Sequence, residues 1–279
     1  MAFHTRSNSF PSRPHPIVQE VDEHLCRLRS SEVTSTSSSI SHKLTGLQEL
    51  HSCVDRLLQL PLAQQALAQE QNEKSTNELL DGSLRILDGC SSAKDALLQT
   101  KECVQDLQSI MRRRRGSESG ALTTEVRKYL TSRKMVKKAI HKAMRNLKGS
   151  SFSSLNNDNE TIAFVSTLRD VEAVTLSVFE SLLSFISGPK SKPSGSWSLV
   201  SKFIHPKRVA CEEETEANVF AQVDAALQSF IKTSKSDHKN ADNQLDNLES
   251  CIQDQEEQLE CLFRQLIKTR VSLLNILNH

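Results

Sequence analysis

The feature that most constrains this chain is an aliphatic stripe near its C-terminus. Leu245, Ile252, Leu259, Leu266 and Leu273 recur every seven residues, and Leu248, Leu262 and Ile276 fill the companion positions. Apolar residues at that period fit an α-helix that buries one narrow seam along its whole length. Gln255 and Thr269 interrupt the seam, and polar residues there fix register more than they add stability. Such a stripe has two outlets, packing inside the chain's own bundle or pairing with another chain, and the first is the expectation.

The rest of the sequence repeats the helical theme. Ile17, Val21, Leu25 and Leu28 mark one short helix within residues 1–39, which otherwise read as a disordered tail, while residues 40–279 read as the bundle domain. Leu44, Leu47, Leu50, Val54, Leu57 and Leu58 predict a helix of about five turns that Pro61 breaks. Ser75 and Glu78 are spaced as a capping box, and Leu80, Leu84, Leu87, Leu98, Val104 and Leu107 line a long helix behind it, with weak points expected at Gly82 and Gly89. After a basic loop over residues 112–120, Leu122, Val126, Tyr129, Val136, Ile140, Ala143 and Leu147 form the stripe of a further helix that stops at Gly149.

Asn157 and Glu160 offer a capping pair ahead of residues 162–186, which are apolar nearly all round and therefore belong in the middle of a bundle, among the Leu44, Leu80, Leu122 and Leu245 helices. Gly188 and Pro189 terminate that segment. A loop holding Trp197 follows, and Glu212 to Glu214 with Glu216 suit the positive end of a helix whose face is Val219, Val223, Leu227 and Phe230. Aromatic residues make up only 4% of the chain, which removes most of the strand-favouring side chains. The expectation is an all-α, multi-helix bundle of about seven long helices and no sheet.

Several functional classes are disfavoured by the same residues. With 35 basic and 34 acidic side chains there is no global field to hold nucleic acid, and aromatic stacking residues are scarce. Phosphate-binding glycine loops, nucleophile elbows and zinc-helix motifs are missing from the sequence, so no enzyme activity and no cofactor are expected. His24 with Cys26, and His51 with Cys53, are two residues apart and point in different directions on a helix, which opposes a metal site. Seven scattered cysteines suit reduced thiols in an intracellular, cytoplasmic setting. Import into an organelle stays open, because the first 19 residues hold Arg6 and Arg13 but no acid, although Pro11, Pro14 and Pro16 oppose an amphipathic helix there. Arg169, Asp170, Glu172 and Glu180 interrupt the most apolar stretch, so no membrane span is expected.

Two features point to binding. Arg133, Lys134, Lys137, Lys138, Lys142 and Arg145, with Arg127, Lys128 and Lys148, form a basic helix with no acid after Glu125. Such a helix either lies on an anionic membrane or docks into calmodulin, or else is a solvated face paired with acids such as Glu212 to Glu216 or Asp254 to Glu260. Ser9 and Ser117 follow arginines and are candidate phosphorylation sites. Arg6, Ser7, Ser9 and Pro11 have the spacing that a 14-3-3 protein reads once Ser9 carries phosphate.

The segments RSNSFPSRPHP, HKLTGLQELHSCVDRLLQLPL, LLDGSLRILDGCSSAKDALLQTKE, RKYLTSRKMVKKAIHKAM, LRDVEAVTLSVFESLLSFI and LECLFRQLIKTRVSLLNILNH together make the chain resemble the plant BYPASS-type family over essentially its whole length. The resemblance implies a plant source and, by analogy with the founding member, a part in root and shoot development through restraint of a root-derived mobile signal. It implies no reaction, cofactor or catalytic residue. The expected function is a non-enzymatic helical adaptor or regulatory protein offering its C-terminal seam and loops to protein partners. The alternative is a peripheral membrane protein seated through residues 121–148.

Overall fold

The computed structural model describes residues 15–31, 36–68, 73–113, 119–148, 160–189, 218–232 and 238–277. Among them are eight helices and no strand: α1 (Pro16–Ser30), α2 (Ser37–Leu58), α3 (Pro61–Ala68), α4 (Glu73–Arg113), α5 (Ser119–Lys148), α6 (Glu160–Ser187), α7 (Val219–Lys232) and α8 (His238–Leu277). At 1.5 Å per residue, α4 and α8 are each about 60 Å long and set the length of the bundle.

α4 and α8 run antiparallel, and the order of their cross-links shows it. Arg270 Nη1 donates to the Leu80 carbonyl at 2.5 Å, Lys94 meets Glu260 at 2.5 Å, Lys101 meets Glu256 at 2.6 Å, and Gln108 Nε2 donates to Asp246 at 2.8 Å. α2 lies parallel to α8 on another side, where Gln48 Nε2 donates to the Gln258 carbonyl at 2.9 Å and Lys268 meets Asp55 at 2.6 Å. Leu245, Leu248, Ile252, Leu259, Leu262, Leu266, Leu273 and Ile276 are all buried in this arrangement, as are Gln255 and Thr269. The seam therefore packs inside the chain's own bundle, and it is not a surface offered to partners.

α6 packs on α1, α2, α3, α4, α5 and α7, in keeping with its all-round apolar surface. α8 differs from the sequence expectation, since it packs on α4, α2, α7 and α3 rather than chiefly on α6. Gly188, at φ 76°, takes the left-handed conformation that only glycine adopts freely and donates to the Ser184 and Phe185 carbonyls, which closes the end of α6. α1 buries Ile17, Val21, Leu25 and Leu28 in the same core.

Three expectations for α4 are corrected. The helix runs unbroken through Gly82 and Gly89, and both glycines are points of close approach to α6 instead of weak points. A Cβ at Gly89 would lie 3.0 Å from Phe179 Cδ2, and one at Gly82 would lie 2.7 Å from Glu172 Cδ. Leu84 and Leu98 are 46% and 50% exposed, because the buried face runs through Leu79, Ile86, Cys90, Ala93 and Leu97 and so includes small residues that a leucine count passes over. Ser75 and Glu78 form no capping box: α4 starts at Glu73, which puts Ser75 within its first turn, and the Glu78 carboxylate reaches across to Arg169 of α6 at 2.6 Å.

Candidate functional site

α5 divides into an inward and an outward half, and the division is the basis of the candidate site. Leu122, Val126, Tyr129, Val136, Ile140 and Leu147 are buried, and Arg133 is buried with them at 2% exposure. Its guanidinium reaches three neighbouring helices. Nη2 donates to the Ile186 carbonyl of α6 at 2.8 Å, Nε donates to Asp224 Oδ1 of α7 at 3.3 Å, and Nη1 donates to Thr100 Oγ1 of α4 at 3.4 Å. The same group sits 5.3 Å from the centre of the Phe220 ring, which in turn meets Phe185 edge-on at 5.4 Å. Lys137 completes the cluster, with Nζ 2.9 Å from Asp224 Oδ2.

This cluster solves a problem that every helix end poses. The last carbonyls of α6 have no partner within the helix. Arg133 takes the Ile186 carbonyl, and Asn218 Nδ2 takes the Phe185 carbonyl at 2.7 Å while its side-chain oxygen accepts from the Ala221 amide and so starts α7. Arg133 thus belongs to the interior and is removed from the candidate basic surface. One sequence signal marked it, since Tyr129, Arg133, Val136 and Ile140 follow the 4-3-4 spacing of the apolar stripe itself.

The outward half is different. Arg127, Lys134, Lys138, Lys142 and Arg145 are exposed, and at 100° per residue they fall within an arc of about 80° around the helix. Among the described residues none of the five meets a carboxylate. Lys128, at the edge of the face, pairs with Glu125 at 2.9 Å. Of the acids that the sequence suggested as partners, Glu256 pairs with Lys101 and Glu260 with Lys94, both on α4. Met135 is 59% exposed beside the cations. Lys134, Lys138 and Lys142 stand four residues apart, a spacing at which like charges destabilise a helix by roughly 0.2–0.5 kcal/mol per pair.

Other polar features have structural roles. His51 Nε2 lies 3.0 Å from Thr175 Oγ1, and that hydroxyl donates to the Val171 carbonyl at 2.7 Å, so the imidazole is the donor through Nε2–H. Nδ1 is left buried without a partner, and burial lowers the histidine to about 4. Burial pushes the Cys90 thiol up to about 12, which makes it a poor nucleophile. A groove of about 890 Å³ opens over α2, α4 and α8, and the pairs Lys268 with Asp55, Lys94 with Glu260 and Arg264 with Glu260 cross or edge it. Among the described residues no group of three or more His, Cys, Asp or Glu is placed to hold a metal ion, and no helix is long and apolar enough to cross a membrane. Arg6, Ser7, Ser9, Pro11, Ser117, Asn157, Trp197 and Glu212 to Glu216 lie outside the described residues.

No curated protein and no solved structure matches this chain. The model of one protein family, described as Protein BPS1, matches residues 43–276 of the 279, from the second turn of α2 to the end of α8. The match spans every helix of the bundle except α1, and on it the chain belongs to the BPS1 family, a plant family of the BYPASS type.

Proposed function

We propose that this chain is a non-enzymatic helical adaptor that acts in plant root and shoot development and works from the outward face of α5, where it docks on an anionic surface. Family membership supports the developmental part of the reading. The docking part rests on one observation: Arg127, Lys134, Lys138, Lys142 and Arg145 share one exposed face and meet no carboxylate among the described residues, while Arg133 and Lys137 on the same helix are both paired. Folding has no use for a row of like charges that weakens its own helix. A partner that neutralises the row does.

The test is complementation of a plant that lacks the protein. A chain carrying K134Q, K138Q, K142Q and R145Q is expected to melt at or slightly above the wild type and to fail to restore root and shoot growth. A control carrying R27Q, R29Q, R112Q and R264Q removes the same charge from exposed positions in surface ion pairs, which contribute little to stability, and is expected to restore growth. Equal restoration by both variants overturns the reading.

A further inference from the structure

We infer that the anionic surface met by α5 is a lipid bilayer, on which the helix lies lengthwise with its cations among the headgroups and Met135 in the outer edge of the apolar layer. The inference rests on the docking face proposed above and names its partner.

Shape is the first argument. From Arg127 to Arg145 the face extends about 27 Å along a single helix, and its cations lie in one row on a convex ridge. A ridge of that form meets a plane along its whole length, whereas an acidic peptide needs a cleft that holds it from two sides. The groove over α2, α4 and α8 is on other helices, and its own charges are largely paired with one another.

Chemistry is the second. Three of the five cations are lysines, which act as point charges, and a fluid array of lipid phosphates and carboxylates accepts point charges without the fixed bidentate geometry that arginine supplies. Met135 lies about 60° around the helix from Lys138 and is 59% exposed, an unbranched apolar side chain on the shoulder of a cationic row. That combination, a charged face flanked by an apolar residue that water covers poorly, is how an interfacial helix divides its contacts between headgroups and acyl chains. His141 stands on the other shoulder, and Glu125, the acid within α5 itself, is engaged by Lys128.

The size of the effect follows from the attraction of each cation to an anionic leaflet, about fivefold in partitioning per lysine or arginine near the surface. Five cations give a preference of roughly a few thousandfold for anionic over neutral vesicles at moderate salt, with each charge screened over a Debye length of about 8 Å at physiological ionic strength.

The experiment is flotation of the purified full chain with vesicles of neutral phosphatidylcholine, and with vesicles containing about 30 mol% phosphatidylserine. The wild type is expected to float with the anionic vesicles alone and to come off as salt is raised. The variant K134Q/K138Q/K142Q/R145Q is expected to lose binding by a hundredfold or more, and M135S by a few-fold at unchanged charge. The control R27Q/R29Q/R112Q/R264Q is expected to float as the wild type does. If the two quadruple variants lose binding equally, the attraction is a property of net charge and the inference is overturned. If the wild type does not float at all, while the α5 variant still fails to restore plant growth, the bilayer is the wrong partner and the docking face stands, its partner being an acidic protein surface.

Discussion

The guanidinium of Arg133 donates to the carbonyl oxygen of Ile186 at 2.8 Å, and this bond joins the middle of α5 to the last turn of α6. With Asp224 and Thr100 on the same guanidinium, one side chain ties four helices at a single point. Replacing Arg133 by Met leaves the Ile186 carbonyl without its donor and leaves Asp224 with Lys137 alone. The expected loss is about 3–5 kcal/mol, as for other buried pairs stripped of one partner. R133K keeps the charge but not the fork and is expected to lose about 1–3 kcal/mol. Urea midpoints with an unchanged m-value check both, and a midpoint for R133M equal to wild type contradicts the account.

Gly82 is a packing point against a buried carboxylate. Glu172 is held by Arg85 at 2.6 Å, and burial is the leading cause that raises its carboxyl above the usual range. A methyl group at position 82 forces that carboxylate to move, so G82A is expected to destabilise by about 1–3 kcal/mol despite the better helix propensity of alanine. The same substitution placed on E172A is expected to be neutral or stabilising. Additive losses in that double-mutant cycle would show that the two sites are independent.

How much of this was legible in the sequence depends on what the period of a stripe can report. The α8 seam, the all-round apolar α6 and the cap at Gly188 follow from spacing and from glycine's conformational freedom, and the structure carries all three. The inner face of α4 was less legible, because Gly82, Gly89, Cys90 and Ala93 bury little area, the two glycines letting α6 come close, while the larger Leu84 and Leu98 point outward. Arg133 was misplaced for an electrostatic reason. Charge assigns an arginine to the surface, and only its position within the apolar stripe contradicts that. Its partners, Thr100, Ile186 and Asp224, are far away in the chain, so nothing local announces them.

His51 gives the fold a pH dependence of known sign. The folded state holds the imidazole neutral down to about 4, whereas an unfolded histidine takes up its proton near the ordinary value of 6.5. Between these values the unfolded chain binds more protons, so this contribution is complete above about 6.5 and is lost as the pH falls towards 4. At pH near 5 the loss is about 2 kcal/mol relative to neutral pH. H51Q can still donate to Thr175 and does not titrate, so its urea midpoint is expected to fall less than that of the wild type over this range. Parallel declines in the two chains contradict the assignment.

The N-terminal motif is tested separately from the bundle. A peptide of residues 1–16 with phosphate on Ser9 is expected to bind a plant 14-3-3 protein, with Arg6 contributing a charge and Pro11 turning the chain out of the groove. The unphosphorylated peptide is expected to bind negligibly, because ordering the backbone costs about 1–2 kcal/mol per residue. Equal weak binding of the two forms ends the proposal.

The central claim is that the outward face of α5 is occupied where the protein works. Labelling of lysines by an amine-reactive, membrane-permeant reagent measures this directly, read residue by residue by mass spectrometry, in intact plant cells and on the purified chain. Lys134, Lys138 and Lys142 are expected to label several-fold more slowly in cells than in the purified chain, while Lys94 and Lys268 in the groove over α2, α4 and α8 keep the same relative rates. Equal labelling of the α5 lysines in the two settings, referenced to Lys94 and Lys268, would contradict the account.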